Sequence, residues 1–291
     1  MSLQADGGSY EVVHPADYSA LGYASPIITW GNGTGNVPGD YVTLFDHLAS
    51  WGFTVVASTL ENTGSGVEIL DGAHDLVAAD EDAGNPFYGH LDTDEIAAMG
   101  HSQGATGAVR AAETGGSFIS TVVTFQLPWN GQGPVGSIWD SPFSMGWSLP
   151  NANCPTSSTC WADPILLRQP TFFITSEGAE DSFIANPQVE RCYFEEVHAP
   201  AVLGIVHSSE GKKADHTSIE DDDLGGNPEA FLGYVTDWLV TQLLHNVYAA
   251  TAFVGSQPAL TSDSNWTGSV VKTSWQGQAG CSGANDRILD F

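Results

Sequence analysis

Positive charge is what this 291-residue sequence has least of. Seven Lys and Arg residues stand against 35 Asp and Glu, which gives a formal net charge of −28. So large an excess of negative charge repels polyanions, so nucleic acid and anionic membranes are excluded as partners and neutral substrates are favoured. The acidic residues are spread along the chain, and two settings explain them equally well. One is an environment of high salt, where the electrostatic screening length falls to about 3 Å at 1 M. The other is the environment of an ordinary acidic secreted protein.

Long apolar runs are also missing. No stretch approaches the length of a membrane-spanning helix, so we expect no membrane span. Residues 1–6 have neither the basic nor the apolar segment of a signal peptide, and we expect any such peptide to have been removed or never to have existed. Hydrophobic residues make up 42% of the chain, enough for a full core, and no linker divides it. These features predict one domain over residues 1–291, acting as a monomer.

Cysteine is sparse, with only four residues. No C-x-x-C pair occurs, which argues against a structural zinc or a redox motif. Four cysteines allow three disulfide pairings. The five-residue loop between Cys154 and Cys160 suggests that these two pair, which leaves Cys192 to pair with Cys281. An even count with a local pair is typical of an oxidising, extracellular setting.

Apolar segments with strand and helix periodicity alternate along most of the chain. Strands are predicted at 27–30, 53–57, 95–99, 120–125, 169–174, 201–206 and 269–271, and helices at 40–50, 67–82, 187–197 and 231–247. This alternation predicts an α/β fold with a mostly parallel central sheet flanked by helices, and functional residues at the carboxyl ends of the strands. The regularity breaks at 127–167, an insertion rich in Gly, Pro, Ser and Trp, and a polar tail runs over about 261–291.

The most informative motif is Gly100-His101-Ser102-Gln103-Gly104. This G-x-S-x-G pentapeptide follows a predicted strand and precedes Ala105-Thr106-Gly107-Ala108-Val109, a stretch of small residues that predicts a helix. A strand, a sharp turn and a tightly packed helix form the context of a nucleophile elbow. Ser102 is therefore the candidate nucleophile.

A nucleophilic serine needs an acid and a base, and in such folds the chain order is Ser, then Asp or Glu, then His. Of the histidines after the motif, His207 directly follows a strand, whereas His216 lies in a polar loop that can reach the elbow; we favour His216. The acid is expected in the loop after the strand at 169–174. Asp181 is favoured there, with Glu177 and Glu180 as alternatives.

Donors for an oxyanion complete the constellation. They are expected to be the backbone N–H of Gln103, which follows the nucleophile, and an N–H from the early turn Asn32-Gly33-Thr34. A dinucleotide-binding loop would need a different spacing and helix entry. The acidic run at 220–223 is taken as a solvated surface, and neither a metal nor a cofactor is expected.

With these residues identified, the chain resembles the bacterial cutinase-like polyester hydrolases of the α/β-hydrolase superfamily, which include enzymes acting on poly(ethylene terephthalate). The resemblance runs from about residue 26 to residue 216 and is carried by segments 48–56, 100–104, 126–129, 169–171 and 180–182. It implies an α/β-hydrolase fold. The region 130–167, within the insertion, is longer than the family's loop, and we expect it to form a partial lid.

The resemblance also implies roles for individual residues. The triad falls on Ser102, Asp181 and His216, and the oxyanion donors fall on Thr34 and Gln103. Trp129 is assigned by the same resemblance to the aromatic residue that flanks the substrate. His101 is also expected to bind the substrate. The chain departs from the family at two positions: Gln103 replaces the usual Met, and Thr34 replaces the usual aromatic residue.

Together these observations predict a secreted, extracellular serine ester hydrolase that acts on neutral polyesters without a cofactor. Two alternatives remain open at this point. One is an esterase or lipase of the same fold whose insertion closes over small substrates. The other is a binding protein on an inactive hydrolase scaffold.

Overall fold

The computed structural model describes residues 2–5, 8–128, 162, 164–182, 184–209, 212–266 and 269–272. The strands are β1 Ser2–Ala5, β2 Gly8–Val13, β3 Ser25–Gly31, β4 Thr54–Ser58, β5 Leu91–His101, β6 Thr121–Phe125, β7 Thr171–Ser176, β8 Ala201–Val206, β9 Ser208–Ser209, β10 Lys212–Lys213 and β11 Val270–Lys272. The helices are α1 Val42–Ser50, α2 Val67–Glu81, α3 Gln103–Gly115, α4 Pro187–Glu196, α5 Glu229–Leu243 and α6 Ala259–Ser262.

Nine of these strands form one sheet in the order β1-β2-β4-β3-β5-β6-β7-β8-β11. The six from β4 to β8 are mutually parallel, and antiparallel pairs lie only at the two edges. The parallel strands β3, β4, β6, β7 and β8 are buried along their whole length, as expected when helices cover both faces of a sheet. The chain therefore has the mostly parallel α/β fold that its alternating pattern predicts.

The last long helix is shorter than its periodicity predicts. The expected helix over 231–247 was wrong at its end, because α5 stops at Leu243 and His245 has a left-handed φ of 51°. The predicted strands also leave out β2, which lies between β1 and β4. Its alternation was visible, since Tyr10 and Val12 are buried and Glu11 between them is exposed.

Several expectations fall outside the described residues. These are the lid role of the 127–167 insertion, the position of Trp129 and both disulfide pairings, since Cys192 is described only as part of the α4 backbone. No helix in the described part of the chain is long and apolar enough to cross a bilayer.

A cluster of buried aromatic rings lies under the carboxyl ends of the central strands. Trp30 of β3 is fully buried, and its ring centroid lies 4.9 Å from that of Tyr41 and 5.7 Å from that of Phe125. Phe125 in turn contacts Phe231 of α5 at 5.8 Å. This packing makes a rigid floor for the loops above it, because buried rings contribute large apolar areas with fixed geometry.

Candidate active site

Ser102 lies on the sharp turn between β5 and α3. Its φ of 52° and ψ of −120° are a backbone conformation that few residues other than glycine adopt. Its N–H donates to the carbonyl oxygen of Phe125 on the neighbouring strand, at 2.9 Å. The surrounding structure thus holds the strained residue in place, and such strain is concentrated at functional sites.

The glycines of the motif allow the helix to pack closely against the sheet. A Cβ on Gly100 would lie 2.2 Å from the carbonyl oxygen of Gly104, and one on Gly104 would lie 2.0 Å from that of Gly31. Both clashes involve backbone atoms that cannot rotate away. The G-x-S-x-G pattern is therefore required sterically at this turn.

The structure brings Ser102, His216 and Asp181 together in one hydrogen-bonded chain. His216 Nε2 lies 2.9 Å from Ser102 Oγ, and His216 Nδ1 lies 2.6 Å from Asp181 Oδ1. A carboxylate accepts hydrogen bonds, so Nδ1 carries the ring proton and Nε2 presents its lone pair to the serine hydroxyl. All three residues are buried, with exposed fractions of 8%, 7% and 0% respectively.

Asp181 receives further hydrogen bonds on its other carboxyl oxygen. The backbone N–H and the hydroxyl of Ser176, at the end of β7, both donate to Oδ2. Burial raises the pKa of Asp181, while the hydrogen bonds from His216 and Ser176 act in the opposite direction. The donors around this carboxylate thus compensate part of its desolvation.

The alternative base and acid lie elsewhere. His207 Nδ1 pairs with Glu177 Oε2 at 3.1 Å, and both side chains are exposed. Glu180 is exposed, and its backbone N–H donates to Asp215. None of these three side chains takes part in the hydrogen-bonded chain to Ser102.

The two predicted oxyanion donors are neighbours. Gln103 Nε2 donates to Thr34 Oγ1 at 3.2 Å, which ties the turn after β3 to the start of α3. Among the described residues, no group accepts a hydrogen bond from the backbone N–H of Thr34 or of Gln103. Both N–H groups thus meet one requirement of an oxyanion donor, which is to have no acceptor inside the protein.

His101 is placed differently from its expected role in substrate binding. Its side chain is only 2% exposed, and both ring nitrogens bond within the protein. Nε2 lies 2.8 Å from the carbonyl oxygen of His216, and Nδ1 lies 2.9 Å from the hydroxyl of Tyr41. Burial, and secondarily the nearby His216, lower its pKa to about 3, so the ring is neutral.

The acidic run at 220–223 is not simply a solvated surface. Asp221 accepts hydrogen bonds from the backbone N–H groups of Val42 and Thr43, at 2.9 Å each. It therefore caps the start of α1, where a negative charge is favourable. Within the described residues, no group of three or more His, Cys, Asp or Glu side chains is arranged to hold a metal ion.

Sequence reasoning missed three polar residues that support this site: Tyr41, Ser176 and Asp215. None belongs to a motif, so no sequence signal marked Tyr41 or Asp215, although Ser176 stands at a strand end.

Comparison with known proteins identified no relationship: no family model matches the chain, and no curated protein matches it significantly.

Proposed function

We propose that this protein is a serine carboxylic-ester hydrolase with an α/β-hydrolase fold, working through an acyl-enzyme. The observation that carries the proposal is the hydrogen-bonded chain from Asp181 through His216 to Ser102, with the serine strained at the strand-to-helix turn. Nucleophile, base and orienting acid at such distances are the arrangement that serine acyl transfer requires.

In the first half of the reaction, Ser102 Oγ attacks the ester carbonyl carbon and its proton passes to His216 Nε2. The carbonyl oxygen becomes an oxyanion, which accepts hydrogen bonds from the backbone N–H groups of Thr34 and Gln103. Asp181 stabilises the imidazolium. Collapse of the intermediate breaks the ester C–O bond, and His216 returns the proton to the leaving alcohol.

In the second half, a water molecule gives a proton to His216 and attacks the acyl carbon. The bond to Ser102 Oγ breaks, the proton returns to the serine, and the carboxylic acid leaves. No step draws on a group beyond the protein, the ester and water.

Neutral polyesters are the proposed substrates, and the extracellular space is the proposed place of action. The net charge of −28 supports neutral over anionic substrates. The polyester assignment rests on the sequence resemblance. Release of soluble acid from a polyester film, measured beside hydrolysis of a soluble ester, tests it: activity on the soluble ester alone would restrict the proposal to small esters.

The hydrolase proposal is tested with a short p-nitrophenyl ester. We expect Ser102→Ala to lower kcat by at least about 10³-fold, the scale of losing a triad nucleophile. Ser50→Ala, which removes an exposed hydroxyl on α1, is the matched control and should retain the wild-type rate. Equal rates for wild type and Ser102→Ala would refute the proposal, as would failure of a fluorophosphonate to label Ser102.

A further inference from the structure

His101 and Tyr41 form a bridge between two loops of the candidate site. His101 binds the carbonyl oxygen of His216, and the Tyr41 hydroxyl also accepts the backbone N–H of Gly33, at 2.9 Å. Gly33 immediately precedes Thr34. The bridge therefore links the loop that carries the candidate base to the turn that carries a candidate oxyanion donor.

The proton positions in this bridge follow from its ends. A carbonyl oxygen only accepts, so His101 Nε2 carries the ring hydrogen and donates it to His216. The neutral ring then accepts at Nδ1, so the Tyr41 hydroxyl donates to it while its oxygen accepts from Gly33. Every hydrogen bond points the same way along the bridge, an arrangement in which the bonds polarise and strengthen one another.

The surroundings keep both bridging groups neutral. His101 and Tyr41 are buried, and burial raises the pKa of the Tyr41 phenol well above its ordinary value. The titratable groups facing the His101 ring are Tyr41, His216 and Glu220, whose Oε1 lies 3.8 Å from Nδ1. The turn backbone also passes very close: a Cβ on Gly33 would lie 2.7 Å from His101 Nδ1 and 3.0 Å from the Tyr41 oxygen.

We propose that His101 and Tyr41 are positioning residues that hold the general base and the oxyanion turn in a fixed relation to each other. The inference rests on the proposed ester hydrolysis and extends it to two residues that touch no substrate. A displacement of about 1 Å at either end of the bridge is enough to cost on the order of 10²-fold in rate.

Three variants cut the bridge at different points. His101→Asn keeps an acceptor for Tyr41 near Nδ1 but loses the donor to His216. His101→Gln places an amide N–H near the Nε2 position but loses the acceptor for Tyr41. Tyr41→Phe removes the hydroxyl from both Gly33 and His101.

We expect each variant to lower kcat on a soluble ester by about 10- to 100-fold, with KM changed less than about two-fold. Because the two residues act in one bridge, Tyr41→Phe combined with His101→Asn should lose far less than the product of the two single losses. Tyr18→Phe and His47→Asn are matched controls. Each removes one partly buried hydrogen bond, to Thr54 and Thr236 respectively, and should retain kcat.

A second measurement does not depend on activity. Nitrogen-15 NMR of histidine-labelled wild type should show His101 as the neutral Nε2–H tautomer from pH 5 to pH 9, with its Nδ1 resonance shifted in Tyr41→Phe. An Nδ1–H tautomer would overturn the bridge even if the variants failed to fold. Folded variants with wild-type kcat, or equal losses in the controls, would overturn the positioning role alone. An inactive wild type would instead refute the hydrolase proposal.

Discussion

The side chain of Asp215 accepts a hydrogen bond from the backbone N–H of His216, at 3.0 Å, and the same oxygen reaches across to the loop of the candidate acid. There it accepts the N–H of Glu180 at 2.9 Å and that of Asp181 at 3.4 Å. A Cβ on Gly178 would lie 2.1 Å from this oxygen, so the two loops meet closely. One carboxylate thus joins the segments that carry the base and the acid.

Asp215→Ala should therefore lower both activity and stability. Three N–H groups lose their acceptor, and we expect the free energy of unfolding in urea to fall by about 1–3 kcal/mol. The kcat for a soluble ester should fall as well, because the loops that carry Asp181 and His216 lose this link between their backbones. Asp215→Asn keeps an acceptor oxygen and should retain most of both quantities. The exposed Asp223→Asn is the control, and a loss as large as that of Asp215→Ala would contradict this explanation.

The sequence predicts the site better than it predicts what supports the site. Ser102 is marked by a motif whose glycines are required sterically. The alternation of apolar strands with helices along the chain predicts the sheet that carries it. Asp215 and Tyr41 carry no such mark, because their contacts form only when loops far apart in sequence meet. His101 illustrates the same limit: we expected it to bind substrate, but both of its ring nitrogens form hydrogen bonds inside the protein.

Gly104→Ala should disrupt the elbow. The added methyl group would lie 2.0 Å from the carbonyl oxygen of Gly31 and 2.6 Å from that of Asn32, so α3 must move away from β3. We expect a loss of at least about 3 kcal/mol in the free energy of unfolding, the upper end of overpacking costs. Gly233→Ala on α5 is the control, since nothing lies within 4 Å of its Cβ position. It should stabilise the protein by up to about 1 kcal/mol in the same urea titration.

The buried carboxyl group of Glu190 on α4 should make the protein lose stability as the pH rises. Its carboxyl group is fully buried, and among the described residues neither oxygen has a hydrogen-bond partner of good geometry. Burial, and then the negative charge of Asp181, raise its pKa well above the ordinary value, and a backbone contact from Leu127 offsets this only partly. The folded state therefore keeps a proton on Glu190 that the unfolded state releases above about pH 4.5. The protein loses stability as the pH rises from about 4.5 towards the raised pKa of Glu190.

Glu190→Gln should remove this pH dependence. The variant should match wild type near pH 4 and be more stable at higher pH, by an amount that grows at up to about 1.4 kcal/mol per pH unit. Urea unfolding at pH 4, 6 and 8 measures it, with Glu195→Gln on the same helix as the control. A constant difference between wild type and Glu190→Gln across these pH values would show that Glu190 does not hold the proton.

The net charge of −28 predicts that salt stabilises the folded protein. Self-repulsion acts over about 10 Å at 0.1 M salt and over about 3 Å at 1 M, so screening relieves the compact state more than the expanded one. The urea midpoint should rise between 0.1 and 1 M NaCl. Asp46→Asn combined with Asp94→Asn removes two exposed charges and should reduce the rise. A midpoint that falls with NaCl would contradict the electrostatic explanation.

Loss of the Gln103 side chain should lower activity through its effect on the candidate oxyanion turn at Thr34. Its Oε1 accepts the N–H groups of Thr63 and Gly64, at 2.9 and 3.0 Å, while its Nε2 donates to Thr34 and Asn62. Gln103→Met retains the length of the side chain and the backbone N–H but removes all four bonds. Because the Thr34 turn then loses its tie to α3, we expect kcat to fall by about 10- to 100-fold with little change in KM.

Gln103→Glu separates the two halves of this contact. The carboxylate still accepts hydrogen bonds from Thr63 and Gly64, and Thr34 can turn its hydroxyl to donate to it. The side-chain oxygen Oδ1 of Asn62, in contrast, now faces a negative charge. We therefore expect kcat on a soluble ester to lie between the values for wild type and Gln103→Met. If Gln103→Met retained the wild-type kcat, the hydrogen bond between Gln103 and Thr34 would have no part in positioning the candidate oxyanion donors, and the backbone of the turn alone would have to position them.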